Sequence, residues 1–495
     1  MSQKTPPSPV KKGRELILDI TTAAFEGKGL GRAGDYAVFV KNAAPGDRVR
    51  IRINRKRKNY AEGQLIEILE PSPVRISPKC RHAGVCGGCT WQHVPYEEEL
   101  KYKSGHVTDH FQRIGGFRHI QTEPVIGASE PFYYRNKMEY TFGDRRWLTN
   151  DEIQSDKPIV DRNFALGLHV PGRYDRILNL EECHLQDPVS FRILDAVREY
   201  ALANRILPYN THKHEGFLRN LIIRNSVHTG DLMINLVTNG DEKHIIQPMT
   251  THLLGIFPEI TTVINTINDT RSPSSEGRYQ NVLHGPGYIR EHIGKYHFRI
   301  DPNTFFQTNT VQAEVLYDVV LQALGDSTSD APADSSGRDA ESVSSEENVL
   351  YDLYCGVGTL SLYLSAKAKK MVGIEIHEGA VKKARENAAE NRVEHAFFEQ
   401  GDMKDIFNDA LIQQHGRPEV IVTDPPRAGM HESVIEQIKI IAPKKIIYVS
   451  CNSATQARDV AMLTEQYHVE RIQPVDMFPQ TYHIESVAVL SRKPI

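Results

Sequence analysis

Between residues 349 and 449 the chain alternates short apolar runs with helical patterns, and this alternation restricts the possible fold more than any other feature. Strands are predicted over 349–353, 371–376, 420–423 and 445–449, with helices over 360–367 and 380–391. Parallel strands need long crossovers, which helices supply, so the pattern predicts an open parallel sheet wrapped by helices, a Rossmann-like α/β domain. Asp352-Leu353-Tyr354-Cys355-Gly356-Val357-Gly358-Thr359 closes the first strand and opens the first helix, where glycines let a ligand approach the backbone closely. Glu375 ends the second strand, nineteen residues after Gly356, where a carboxylate can accept hydrogen bonds from a ribose. Position 361 is Ser361, so the third glycine of a dinucleotide fingerprint is missing. A ligand with a ribose but no pyrophosphate, such as S-adenosylmethionine, fits better than a nicotinamide cofactor.

One such domain does not use up 495 residues, and two to four domains are expected. Residues 15–70 hold short apolar alternations broken by Gly and Pro, the pattern of a small all-β barrel. In Arg48-Val49-Arg50-Ile51-Arg52-Ile53 the period of two sends three arginines to one face and three aliphatics to the other. Arg55, Lys56, Arg57, Lys58 and Tyr60 follow, so this face is expected to contact phosphate. After Pro71-Ser72-Pro73 a mixed α/β region runs to about residue 300, with helices predicted over 96–113 and 188–204 and strands over 221–226 and 232–237. The Ser/Asp/Glu-rich stretch 326–348 is read as a flexible insertion, and residues 1–12 as a flexible basic tail.

Hydrophobic residues at 40% and charged residues at 25% are ordinary for a soluble chain, and no apolar run is long enough to span a bilayer. The N-terminus lacks the apolar core of a secretory signal, so a cytoplasmic location is expected. The net charge of -4 argues against nucleic acid only at first sight. The stretch 326–348 carries seven acidic residues against the single Arg338, and the rest of the chain is near +2.

Asp424-Pro425-Pro426-Arg427 and Ser450-Cys451-Asn452 each follow a predicted strand, at the carboxyl edge where open α/β sheets bind ligands. Methylases acting on exocyclic amines also use an Asp-Pro-Pro turn, usually with an aromatic residue where this chain has Arg427. The difference points to carbon chemistry. Uracil carbon 5 becomes nucleophilic once a thiolate adds to carbon 6, and Cys451 is the candidate thiolate. A helix opening near Ala454 is expected to lower its pKa. A base must then remove the carbon 5 proton, and Glu485, just before an apolar strand over 487–490, is placed to act as a buried carboxylate with a raised pKa.

Cys80-x5-Cys86-x2-Cys89 and the distant Cys183 form a second constellation. Six cysteines in so long a chain do not make a disulfide scaffold. Four thiolates suit zinc or an iron-sulfur cluster equally.

Taken together, Phe305-Phe306-Gln307-Thr308-Asn309, the 352–359 loop, Asp424-Pro425-Pro426-Arg427, Ser450-Cys451-Asn452 and Phe478-Pro479-Gln480-Thr481-Tyr482-His483-Ile484-Glu485 resemble the RNA 5-methyluridine methyltransferases over nearly the whole chain. The resemblance implies Cys451 as nucleophile and Glu485 as proton acceptor. It implies Gln307, Tyr354, Thr359, Glu375, Asp402 and Asp424 as the residues holding S-adenosylmethionine. The barrel, 13–71, resembles the family's TRAM domain, an OB-like RNA-binding module. Within the central domain, 72–300, the cysteine segment resembles its four-iron four-sulfur site, with Cys80, Cys86, Cys89 and Cys183 as ligands and zinc as the alternative. The methyltransferase domain is 301–495.

Phe305 or Phe306 is a candidate to stack on a flipped uracil. Some family members carry Asn where this chain has Thr359, and the acidic insertion is not a family feature. The barrel and cysteine segment look more like the enzymes of large-subunit (23S) ribosomal RNA than the transfer-RNA T-loop enzyme, which is the alternative substrate class. A monomer with no membrane partner is expected. A non-catalytic RNA-binding iron-sulfur protein that kept the fold would show a degenerate Cys451 or Glu485, and neither is degenerate.

Overall fold

A computed structural model describes residues 10–156, 158–325 and 348–494. Residues 1–9 of the expected tail and 326–347 of the expected insertion lie outside the described residues. Strands β1 (Glu15–Ala23), β2 (Gly29–Ala33), β3 (Tyr36–Val40), β4 (Arg48–Lys56) and β5 (Tyr60–Glu70) form a closed barrel in the order β1-β2-β3-β5-β4. Closure removes the unpaired edges that a small sheet would otherwise expose. Leu18, Ile20, Val38, Val40, Val49, Ile51 and Ile53 fill the interior. Val10 is fully buried among them, so barrel packing begins inside the segment expected to be tail.

The predicted alternation in β4 is observed, but its arginine face is not a bare cationic surface. Arg48 pairs with Glu70 at 3.3 Å, Arg50 with Glu67 at 2.8 Å and Arg52 with Glu15 at 2.7 Å. The neighbouring strands neutralise the three arginines in cross-strand pairs, so the expected phosphate surface shrinks to the exposed turn that follows them.

The central sheet comprises β6 (Lys137–Gly143), β7 (Ala165–Val170), β8 (Arg173–Asn179), β9 (Leu218–Asn225), β10 (Leu232–Thr238), β11 (Thr262–Ile267) and β12 (Tyr279–His284), in the order β12-β11-β10-β9-β6-β7-β8. Helices Pro188–Ala203 and Lys243–Ile256 contribute to its core. A hairpin of β13 (Ile289–Ile293) and β14 (Tyr296–Ile300) leads into the last domain.

There β15 (Val349–Leu353), β16 (Lys370–Glu375), β17 (Ala396–Gln400), β18 (Val420–Thr423), β19 (Lys445–Ser450), β20 (Tyr467–Val475) and β21 (Glu485–Arg492) build a sheet ordered β17-β16-β15-β18-β19-β21-β20. Strands β15 to β19 run parallel, whereas β21 is antiparallel to β19 and β20. The chain reverses direction across the sheet between β15 and β18, which makes a crevice at their carboxyl ends. Two buried apolar clusters cover the two faces. Helix Tyr96–Arg113, central in sequence, packs into one of them through Val107 and Phe111. The central region is thus not one structural unit. Among the described residues, no helix is long and apolar enough to cross a membrane.

Candidate active site

At the end of β15 the backbone turns sharply through left-handed conformations at Tyr354 (φ 70°), Gly356 (φ 56°) and Gly358 (φ 80°). The two glycines differ. A Cβ on Gly358 would press on Ala384 and Phe398 at 3.1 Å, whereas one on Gly356 would meet nothing within 4 Å. Gly358 is therefore needed for packing, and Gly356 leaves open space beside the backbone. Tyr354 has no such freedom, and a left-handed tyrosine stores strain where a ligand site is expected.

Glu375 is buried at the end of β16, where it accepts hydrogen bonds from the Gly356 amide at 3.1 Å and the His377 amide at 2.9 Å. It braces the glycine loop and keeps lone pairs for a ribose. The Thr359 hydroxyl meets the Tyr317 hydroxyl at 2.9 Å. Asp402 caps helix Met403–Ile406 and pairs with Lys404 at 3.1 Å, which holds its carboxyl below the usual range. The segment carrying Gln307 is fixed from the central domain: Asn136 donates its amide N–H to Thr308 O at 2.8 Å and its side-chain amide to Gln307 O at 2.9 Å. The two phenylalanines separate cleanly. Phe306 is 4% exposed and packs on Phe298, so it is core, whereas Phe305 is 72% exposed.

The register of β19 on β21 pairs Ser450 with Ser486. Cys451 and Glu485, the next residue on one strand and the preceding residue on the other, therefore lie beside each other at one end of the sheet. Asp424, at the end of β18, and Arg427 belong to the same electrostatic group. Burial, then Glu485 and Asp424, push the Cys451 thiol up to about 11, and Arg427 opposes them. Burial and Asp424 likewise hold the Glu485 carboxyl well above the usual carboxylate range. Burial raises Asp424 to about 7. Arg427 is held through its carbonyl by the Asn452 side chain at 3.0 Å and the Thr455 hydroxyl at 3.2 Å, and its guanidinium reaches His483 Nδ1 at 3.5 Å. Burial and that cation lower His483 to about 4, leaving a neutral acceptor.

The turn leading to Glu485 is clamped on three sides. Lys103, fully buried, meets Glu99 at 2.7 Å and Asp476 at 2.6 Å and donates to Phe478 O at 3.2 Å. The Gln480 amide donates to Glu99 at 2.8 Å, and Gln480 O accepts from the Thr90 amide at 2.7 Å. Tyr134 donates its hydroxyl to Pro479 O at 2.9 Å.

Apart from this cluster, Cys80, Cys86, Cys89 and Cys183 line one pocket, together with apolar Met138, Leu168, Leu180 and Leu185. Burial pushes the Cys80 thiol to about 11 and Cys86 to about 12, and raises Cys89 and Cys183 as well. The thiols also raise one another. Among the described residues, no group of three or more His, Cys, Asp or Glu side chains is arranged to hold a metal ion.

The family described as tRNA (Uracil-5-)-methyltransferase matches residues 338–493, and the TRAM domain matches residues 9–66. An uncharacterized RNA methyltransferase of Bacteroides thetaiotaomicron is 41% identical over 94% of this chain and 99% of its own. One from Porphyromonas gingivalis is 40% identical over 96% and 99%. The chain belongs to the RNA uracil-5-methyltransferase family. Among solved structures, the Pyrococcus abyssi tRNA (uracil-54, C5)-methyltransferase in complex with S-adenosyl-L-homocysteine is similar over 96% of this chain and 100% of its own, with 27% identity and a TM-score of 0.72.

For a uracil-5-methyltransferase, the Cys451 thiol departs from the sequence reading: it is raised, not lowered. Helix Ser453–Leu463 begins two residues further on, after the Asn452 cap, and burial beside two carboxylates outweighs its N-terminus. The expected burial and upward shift of Glu485 are both observed, although Glu485 starts β21 instead of preceding it. Arg427 as the local cation, and Glu99, Lys103 and Tyr134 as clamps, were not legible. Glu99 and Lys103 stand four apart on a helix, and that spacing reads as a solvated pair.

Proposed function

We propose that this enzyme moves a methyl group from S-adenosylmethionine to carbon 5 of a uridine in large-subunit ribosomal RNA, through a bond between Cys451 Sγ and uracil carbon 6. The observation that carries the reading is the placement of Cys451 beside Glu485 by the Ser450–Ser486 register. Cys451 as thiolate adds to carbon 6, and the electron pair displaced to carbon 5 takes the methyl group. Glu485 as carboxylate then removes the carbon 5 proton, the ring double bond re-forms and the thiolate leaves. S-adenosylmethionine supplies an electrophilic methyl on a sulfonium. Gln307, Tyr354, Thr359, Glu375, Asp402 and Asp424 would hold it, and the open side of Gly356 together with the buried Glu375 carboxylate fits a ribose-bearing ligand. Arg427 favours the thiolate of Cys451 and the carboxylate of Glu485.

A thiol raised to about 11 is mostly protonated at neutral pH, so its reactive fraction grows about tenfold per pH unit below that value. Single-turnover methylation is therefore expected to climb between pH 7 and 9, and Arg427→Met to shift the profile to still higher pH. A profile flat over that range in both proteins would contradict the assignment.

A transfer-RNA substrate is the second reading, favoured by the likeness to the archaeal tRNA (uracil-54, C5)-methyltransferase. Mapping 5-methyluridine in ribosomal and transfer RNA from cells with and without the gene decides between them. Loss of no 5-methyluridine in either RNA would refute both.

We further propose that Cys80, Cys86, Cys89 and Cys183, which line one largely apolar pocket although their side chains are not arranged as a metal site, would hold a four-iron four-sulfur cluster, with zinc as the alternative. Purified protein is expected to contain about four iron and four acid-labile sulfide per chain, and Cys183→Ser to lose most of both. Zinc without sulfide would exclude the cluster.

A further inference from the structure

The barrel approaches the segments carrying Cys451 and Glu485 through the turn between β1 and β2. Phe25, Glu26 and Gly27 form a short 3-10 turn between β1 and β2. The turn is fixed rigidly: Gly27 is left-handed, and a Cβ there would collide with Thr90 at 2.1 Å. The Lys28 carbonyl accepts the Ala24 amide at 2.7 Å, and His106 bonds the Ala23 carbonyl at 2.8 Å. This anchoring does not bury Phe25, which stays 41% exposed.

Its neighbours lie on both sides of the reacting groups. Phe25 makes edge contacts with His110 at 5.1 Å and Tyr482 at 5.8 Å. The His110 ring bonds the Ser453 hydroxyl at 2.8 Å, two residues past Cys451. Tyr482 stacks on His483 at 4.1 Å, which meets Arg427 at 3.5 Å and lies two residues before Glu485. The exposed ring thus lies between His110, which bonds the segment carrying Cys451, and Tyr482 of the segment carrying Glu485.

We propose that Phe25 is a stacking platform for the nucleotide next to the target uridine, so that the barrel forms one wall of the active-site mouth. The inference rests on the uridine reading above. Extruding a base leaves its neighbours without a stacking partner, and an aromatic ring beside the extruded base restores one. An exposed phenylalanine serves any flanking base through its π-face, and no base-specific hydrogen bond is required of it.

The test measures binding of short oligoadenylates carrying one central uridine, with either adenosines or abasic sites flanking it. Phe25→Leu is expected to weaken binding of the adenosine-flanked RNA about tenfold. It should leave the abasic-flanked RNA unaffected. Phe25→Trp should match the wild type, and S-adenosylhomocysteine binding should be equal in all three proteins, which establishes that the fold is intact. Equal affinity of the wild type and Phe25→Leu for the adenosine-flanked RNA, or an equal loss on the abasic RNA, overturns the proposal for Phe25 alone. A wild-type protein that prefers uridine-containing RNA no more than all-adenosine RNA overturns the uridine reading, and the proposal with it.

Discussion

Cys451→Ala is expected to lower methyl transfer to RNA by at least ~10⁴-fold, because removing the group that forms the covalent bond leaves only positioning to assist the reaction. Glu485→Gln separates the two halves of the mechanism. An amide cannot take the carbon 5 proton, so addition and methyl transfer proceed and elimination does not. Turnover is expected to fall ~10²–10⁴-fold while a methylated protein–RNA adduct accumulates. Both results are read in one experiment, by labelled methyl transfer and by a shifted band on a denaturing gel. The adduct should appear with Glu485→Gln and be absent with Cys451→Ala. The double variant should form none, since the thiol acts first. Retention by Cys451→Ala of a tenth or more of wild-type turnover would sink the covalent route. Adduct formation by Cys451→Ala would place the nucleophile elsewhere.

The parts of this site that local sequence determines were legible, and those that depend on pairing between distant strands were not. The glycine loop, the strand–helix alternation and the ends of β18 and β19 follow from neighbours a few residues apart. The charge on Cys451 does not. Sequence shows the helix that begins after it, but burial in the folded domain, and after it Glu485 and Asp424 brought from β21 and β18, raise the thiol. The arginines of β4 repeat the lesson. Their alternation was readable, while Glu15, Glu67 and Glu70 sit on β1 and β5 and become partners only when the barrel closes. Phe305 and Phe306 were indistinguishable as a dipeptide, and the core that takes one and leaves the other comes from β14. The four cysteines were placed as one set by likeness to a family, and 94 residues separate Cys89 from Cys183 along the chain.

The clamp on the turn leading to Glu485 yields the largest stability effect. Lys103 lies between Glu99 and Asp476, all three side chains fully buried. One cation for two carboxylates leaves excess negative charge, and burial pushes the Glu99 carboxyl to about 8 against the pull of Lys103. Lys103→Met strands both acids in the interior, and breaking a buried pair in this way is expected to cost ~3–5 kcal/mol. An exposed pair would contribute ~1 kcal/mol or less. The sign of the pH dependence follows from the direction of the shifts. Glu99 is already raised in the wild type and loses the downward pull of Lys103 in the variant, so the stability gained by keeping it protonated is complete below its unfolded value of about 4 and in the variant goes on being lost to a higher pH. The deficit relative to wild type should therefore be larger at pH 9 than at pH 7, growing at up to ~1.4 kcal/mol per unit once the pH passes the wild-type Glu99 value of about 8. Urea unfolding at the two pH values measures it. An equal deficit at both, or one no larger than that of a surface pair, would show that Lys103 does not neutralise these acids. Because Phe478 and Gln480 bond directly to Lys103 and Glu99, the loss should fall first on the turn that positions Glu485. Hydrogen exchange of residues 476–482 should then rise at pH 9 while β15 and β16 stay protected.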